Sequence, residues 1–530
     1  MTRWGIVADL NRCVGCQTCT AACKHANATA PGIQWRKVLD VEAGEFPDVR
    51  RAFVPVGCMH CDDPPCMTVC PTTATRKRGD GIVTIDYDLC IGCAYCAVAC
   101  PYQARTRLDA PTFAYGAKAM AHELAREDPA RIGVAQKCTL CADRIDAGLA
   151  AGKVPGSDAE ATPACVGSCI AGALTFGDLD DPDSPVSQLL ATHRHFRMHE
   201  ELGTGPGFHY LYAPADGPAD DDSGPWLVAD SIGQAAVAPR QQHNWDGRAA
   251  ANFIAGGAGG GLAMALAAMA LAGQAPPGWL GLVAMALVGA GLFSVWAEIG
   301  RPWRFLNVFL NPQTSWMTRE ALAAMAFFAT GLAGVVFAMP GLIVLSGLLA
   351  GIFVYCQARI IAAATGIPAW REPAIVPLIA VTGLAEGAGL VLIAGLLPAG
   401  AMAIGWPVAM ALILLVVLRL VCWRTYRSRL GARGAPTATL DTLARFSRPF
   451  EVAGHIAPVA LLGYGLVVPA VADIAYAAGG ALVLAAGGAF KFVLVCRAGF
   501  NQGYAVARLP ARGAGTSAPG IKPGWKTVPK

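Results

Sequence analysis

Sixteen of the nineteen cysteines lie before residue 170, in four groups of four. They are Cys13, Cys16, Cys19 and Cys23; Cys58, Cys61, Cys66 and Cys70; Cys90, Cys93, Cys96 and Cys100; and Cys138, Cys141, Cys165 and Cys169. The third group is a full C-x2-C-x2-C-x3-C-P run ending at Pro101. The second has that form with a four-residue middle gap, and the first keeps the spacing but lacks the proline. The fourth separates C-x2-C from C-x3-C by 23 residues. Three closely spaced thiolates on a tight loop supply one side of a cubane, and in two-cluster ferredoxins the fourth Cys crosses to the other cluster. Sixteen thiolates therefore predict four [4Fe-4S] clusters and one-electron chemistry. Structural zinc also uses C-x2-C pairs, but has no use for a third Cys three residues on and a crossing fourth. A disulfide framework belongs to small exported scaffolds.

Only residues 71–89 separate the second and third groups, and they carry the turn Gly79-Asp80-Gly81 and the strand-like Ile82-Val83-Thr84-Ile85. This is the layout of one two-cluster unit. Crossing the fourth ligand assigns Cys58, Cys61, Cys66 with Cys100, and Cys90, Cys93, Cys96 with Cys70. By elimination, Cys13, Cys16, Cys19 pair with Cys169, and Cys138, Cys141, Cys165 with Cys23, so one unit is inserted in the other. Lys24, Arg76, Lys77, Arg105, Lys137 and Arg144 lie near these loops. They either raise potentials, dock an acidic partner, or are solvated charges balancing anionic clusters. His60 either tunes a cluster or simply packs.

Composition changes after residue 249. The whole chain is 54% hydrophobic and 15% charged, against roughly 25% charged in ordinary soluble domains. Eight stretches are long enough to cross a bilayer: 250–273, 278–298, 319–339, 340–364, 373–397, 401–423, 450–474 and 475–499. The glycine run 256–261 is read as close helix packing. Connections 299–318, 365–372, 424–449 and the tail 500–530 hold fourteen Lys/Arg, and the alternate connections hold none. The positive-inside rule then puts both termini and all clusters in the cytoplasm of a multi-pass inner-membrane protein. The opening Met1–Val7 runs directly into the first ligand loop, leaving no room for a leader. The expected fold is an α+β double ferredoxin-like iron–sulfur domain (1–182), an Asp/Gly/Pro-rich linker (183–249), an all-α eight-helix transmembrane bundle (250–499) and a basic tail (500–530). His193, His195 and His199, at the start of the linker, are read as a solvated face.

Residues 3–182 resemble the four-cluster electron-transfer subunit of the dimethyl sulfoxide reductase family of molybdopterin enzymes. The resemblance is carried by Cys13-Val14-Gly15-Cys16-Gln17-Thr18-Cys19, by Cys58-Met59-His60-Cys61 with Pro64-Pro65-Cys66, and by Lys137-Cys138-Thr139-Leu140-Cys141 with Arg144. Some relatives replace the second Cys of the third group; Cys93 here implies a full cubane. The second half resembles the eight-helix, quinone-reactive anchor of the same complexes, through Ile299-Gly300-Arg301-Pro302 to Thr314–Glu320, and through Tyr355 to Trp370. In that family a His and a Glu are associated with quinol. Glu298 stands at the His position, a departure, while Glu320 is retained. Within the family, the small subunits of phenylacetyl-CoA:acceptor oxidoreductase and of cytoplasmic sulfite dehydrogenase are candidates, and the opening Arg3–Leu10 resembles the former more.

Intramembrane ionisable residues are costly and functional by default. The quinone-site candidates are Glu320 first, then Glu298 and His455. Each is weighed against a helix-end charge reaching the interface. His455 is the only His of the membrane half, so no bis-His haem forms there. The soluble half is consumed by cluster ligands, so a large molybdopterin-containing partner must supply substrate chemistry. The expected role is electron transfer between that cytoplasmic partner and membrane quinone. Two alternatives are a quinol-driven terminal reductase subunit and a redox-driven proton-translocating module, the latter using Glu386 and Lys491. No feature points to nucleic acid.

Overall fold

The computed structural model describes residues 2–43, 50–125, 128–214, 238–397, 405–504 and 506. The soluble half is built on a four-stranded sheet with the order Leu174–Asp178, Trp4–Asp9, Phe208–Pro214, His193–Phe196. Trp4–Asp9 pairs antiparallel with Leu174–Asp178 and parallel with Phe208–Pro214. Strand alternation sorts its side chains onto two faces. Val7 and Leu211 meet Val186 of the helix Pro185–Thr192 on one face. Ile6, Ala8, Phe176, Phe208 and Tyr210 join Cys19, Cys23, Cys61 and Cys138 in the core on the other. Three hairpins carry the intervening chain: Arg36–Ala43 with Arg50–Gly57, Thr75–Lys77 with Val83–Ile85, and Thr106–Arg107 with Ala135–Gln136.

The linker expected over 183–249 needs correction. Residues 185–214 form a helix and two strands, half of the central sheet. The alternating Phe208-His209-Tyr210-Leu211-Tyr212 is a strand signal that the neighbouring Asp/Gly/Pro composition concealed. Most of that Asp/Gly/Pro stretch, and most of the tail 500–530, lie outside the described residues. His199 is buried, with its Nε2 3.2 Å from the Gly503 carbonyl, and is therefore not part of a solvated face.

Among the described residues, eight helices are long and apolar enough to cross a membrane: Gly247–Leu271, Gly278–Trp296, Trp316–Val336, Pro340–Ala363, Ile375–Ala394, Gly405–Ala432, Thr437–Val467 and Pro469–Cys496. Glycines set the closest approach, as the packing of small residues requires. A Cβ on Gly261 of the first helix would come within 1.9 Å of the Gly383 carbonyl of the fifth. The stretch 424–449 is not a loop: the sixth helix continues to Ala432 and the seventh starts at Thr437. Trp423, Tyr426, Leu430, Leu443 and Phe450 are buried while Arg424, Arg429, Arg445 and Arg448 face outward, so an amphipathic pattern underlies that Arg-rich segment. The helix adopts a π-turn at Val452–Ile456, just after Pro449, which cannot donate a backbone hydrogen bond.

The two halves share one apolar core, in which Val69, Tyr95 and Val98 meet Trp245, Ile360 and Trp370. Tyr95 donates its hydroxyl to the Ile360 carbonyl at 2.9 Å, and Trp245 Nε1–H donates to the Cys93 carbonyl at 3.0 Å. Gly92, Gly133 and Gly300 touch backbone to backbone; a Cβ on Gly300 would lie 2.1 Å from the Gly133 carbonyl. Arg301 and Arg304 donate to the carbonyls of Ile132 and Tyr87. The Arg-bearing connector 297–315 thus lies on the iron–sulfur side of the bundle.

Candidate functional site: a line of thiols ending at a membrane cavity

The four C-x2-C turns share one backbone solution. The residue just before the second Cys is left-handed in each: Gly15 (φ 70°), His60 (φ 44°), Gly92 (φ 72°) and Leu140 (φ 57°). Left-handed backbone is costly for His and Leu, and its recurrence at one motif position marks a geometry imposed by the loop's task. All sixteen thiols are free.

Electrostatic neighbours sort the thiols into sets. Cys19 faces Cys13 and Cys169; Cys23 faces Cys138, Cys141 and Cys165. Cys61 faces Cys58, Cys66 and Cys100; Cys93 faces Cys70, Cys90 and Cys96. Cys16 is exposed and joins the first set by its spacing on the loop. The fields felt across sets suggest an order: Cys165 feels Cys19, Cys138 feels Cys58, and Cys66 feels Cys96. Burial, followed by the neighbouring thiols Cys66 and Cys58, pushes the Cys100 thiol up to about 12. Burial likewise pushes Cys141 up to about 11, with Cys138 and Cys165 adding to it. Such crowding of groups that must ionise together suits a cation-rich core.

A single tetrahedral ion draws its ligands to one point about 2.3 Å away. Among the described residues no three His, Cys, Asp or Glu groups converge in that way. Donors aim at the sulfurs: Leu140 N–H at Cys138 Sγ (3.3 Å), Ala173 N–H at Cys169 Sγ (3.2 Å) and Arg105 Nη2 at Cys66 Sγ (3.0 Å). Hydrogen bonds to sulfur are one of the protein's controls over cluster potential.

The line has distinct ends. At one end Cys16, Val14 and Ile170 are exposed beside the first set. At the other, Ile91 of the third ligand loop lines a cavity of about 370 Å³ reaching into the second and third apolar helices. Its walls include Phe293, Trp296, Phe305, Met317, Glu320 and Phe328. Asn252 of the first helix, also in the lining, donates Nδ2–H to Glu320 Oε1 at 3.2 Å. Its own Oδ1 is buried and has no partner among the described residues.

A 4Fe-4S dicluster family model matches residues 49–115, which contain the second and third cysteine groups. One of the selenate reductase subunits of Mesobacillus selenatarsenatis is 41% identical over 225 residues, covering 39% of this chain and 72% of that protein. The arsenate respiratory reductase iron–sulfur subunit of Shewanella sp. is 38% identical, over 39% of this chain and 96% of that one. The chain belongs to the iron–sulfur subunit family of molybdopterin reductases. One of the sulfite dehydrogenase subunits of Allochromatium vinosum is a further relative, 39% identical over 40% of this chain and 83% of its own. The similarity covers the iron–sulfur half, so the eight apolar helices are what this family member carries in addition.

Of the sequence candidates in this iron–sulfur subunit, only Glu320 lines the cavity. Glu298 is buried next to it but accepts the Asp246 backbone N–H at 3.0 Å, closing the N-terminus of the first apolar helix. Burial pushes its carboxyl up to about 7, against the opposing pull of that N–H. His455 lies elsewhere, in the π-turn, where Arg419 Nε–H donates to its Nε2 at 3.2 Å and its Nδ1 is 3.0 Å from the Phe450 carbonyl. A single His at a helix end gives no signal of the arginine that occupies it. Asn252 and Arg36 are the residues that sequence reasoning passed over. Neither is near a motif: Asn252 sits in an Ala/Gly-rich helix, and Arg36 is thirteen residues past the nearest Cys.

Proposed function

We propose that this chain is the fused electron-transfer and membrane-anchor subunit of a molybdopterin oxidoreductase, linking a large catalytic partner to membrane quinone. The observation that carries the reading is the cavity with Ile91 of a ligand loop at one wall and Glu320 at another. Four [4Fe-4S] clusters, when bound, supply a chain of one-electron carriers. Their ligand sets would be Cys13, Cys16, Cys19, Cys169; Cys23, Cys138, Cys141, Cys165; Cys58, Cys61, Cys66, Cys100; and Cys70, Cys90, Cys93, Cys96.

Quinone accepts two electrons and two protons to become quinol, and the reverse releases them. Glu320 would exchange protons at its carboxyl oxygen, and Asn252 would hold it in place and offer Oδ1 to a quinol hydroxyl. The apolar wall takes the ring and tail. The exposed Val14, Cys16 and Ile170 form the face for the catalytic partner. Lys/Arg on the connectors that contact the iron–sulfur half support a cytoplasmic placement of that half and of the partner. Similarity to reductase and dehydrogenase subunits alike leaves both directions of flow within this reading.

The test is purification of the tagged full chain in mild detergent, with analysis of metal and co-purifying protein. A large molybdenum-containing subunit and about four irons for each of four ligand sets are expected. Recovery of zinc in place of iron, or of no molybdenum-containing partner, contradicts the proposal.

A second reading, redox-driven proton translocation, is favoured by one feature. Glu386 of the fifth helix and Lys491 of the eighth form a fully buried pair at 2.5 Å. Glu386→Gln would then abolish proton movement while sparing electron flow to quinone; unchanged proton movement dismisses it.

A further inference from the structure

Each of the three gaps between neighbouring thiol sets holds a buried basic side chain. In the first gap, Arg36 lies over the Phe208 ring, with its guanidinium carbon 4.9 Å from the centroid. It is buried, no oxygen accepts from its three side-chain nitrogens among the described residues, and the Cys165 thiol is the group that faces it. Cys19 flanks it from one set, and Cys23, Cys138 and Cys165 from the next.

In the second gap two groups converge on Val83. Lys137 Nζ donates to the Val83 carbonyl, and to the Cys138 carbonyl at 2.7 Å. The Val83 N–H donates to His60 Nδ1 at 3.1 Å. That bond leaves Nδ1 an acceptor, so the ring proton sits on the buried Nε2. Cys58 and Cys138, from the two adjacent sets, are its neighbours. In the third gap, buried Arg105 donates to Thr75 Oγ1 at 2.9 Å and to Cys66 Sγ at 3.0 Å. Cys96 flanks it from the terminal set.

A buried cation without a charged partner costs several kcal/mol, so Arg36 calls for negative charge on the sulfurs that surround it. A cluster held by four thiolates is anionic, and more so when reduced. A fixed cation between two such groups therefore favours the reduced form of both. Surface lysines scattered around the loops would act weakly and unselectively through solvent. Side chains shielded in the gaps act on their two neighbours alone.

We propose that Arg36, Lys137 with His60, and Arg105 are positioning charges that set the electron affinity of the chain in pairs, each acting on the two sets flanking its gap. The proposal rests on the four-cluster reading. An electron crossing a gap oxidises one side and reduces the other by the same single electron, with no bond made or broken. Because the cation is shared, both sides move together and its charge leaves the step between them unchanged.

The experiment is an anaerobic redox titration, followed by electron paramagnetic resonance, on the purified full-chain complex. Wild type, Arg36→Gln, Arg36→Lys and Arg105→Gln are compared, each with its iron content. Arg36→Gln is expected to lower two midpoint potentials and Arg105→Gln the other two, while Arg36→Lys stays near wild type. The proposal is overturned if a glutamine variant that keeps its iron shifts no signal, a single signal, or all four. Loss of iron from both glutamine variants also overturns it, because the cations would then build the sites and not tune them. If only one glutamine variant keeps its iron, that variant decides by the same rule. Fewer than four signals in wild type would instead refute the four-cluster reading itself.

Discussion

Asn252 places a buried, unpartnered Oδ1 and a bound Glu320 in the same cavity wall, so it is the side chain whose removal should be felt first by the substrate. Asn252→Leu keeps the branched shape and deletes both the acceptor and the donor to Glu320. A lost hydrogen bond to a buried group costs about 1–3 kcal/mol, which corresponds to roughly a 5- to 160-fold rise in KM for quinol in a steady-state assay, with iron content unchanged. An unchanged KM would remove Asn252 from the site. Glu298 makes a pH prediction. Its carboxyl is held at about 7 by burial, above the ordinary Glu value. The folded form therefore binds a proton that the unfolded form releases, and stability falls as pH rises from the unfolded value towards about 7, with the full loss present above it. Glu298→Gln should flatten that decline in thermal unfolding curves between acidic and neutral pH; a parallel decline in the variant contradicts the assignment.

At the level of elements, the contact of Gly92, Gly133 and Gly300 joins the last ligand loop to the connector that walls the cavity. Gly300→Ala would force a Cβ to within 2.1 Å of the Gly133 carbonyl. Overpacking of this kind costs about 1–3 kcal/mol. The expected result is slower electron transfer to quinone with all iron retained; an unaltered rate would mean that the connector does not position the loop. Much of this level was legible in the sequence. The Cys spacings announced a 4Fe-4S dicluster domain, and the hydropathy runs anticipated eight apolar helices, because ligand loops and spans are local patterns. The sheet was less legible: Phe208–Pro214 pairs with Trp4–Asp9 across some two hundred residues, a contact that no local period announces. The Arg-rich stretch 424–449 hid its helices for a related reason, since charge alone says nothing about which face is buried.

On the scale of the molecule, the proposed function makes the thiol sets, the basic side chains between them and the cavity beside Ile91 one continuous path. The path itself was not legible: Arg36 and Asn252 carry no motif, and only the fold brings them to the sulfurs and to Glu320. The most direct test is a single-turnover reoxidation. The full chain is reduced with dithionite, mixed with a soluble quinone, and its visible iron–sulfur absorbance is followed. Proton transfer by a positioned side chain contributes about 10²- to 10⁴-fold. The account predicts fast reoxidation in wild type, slowed by about that factor in Glu320→Gln at equal iron content. Equal rates in the two proteins would contradict it.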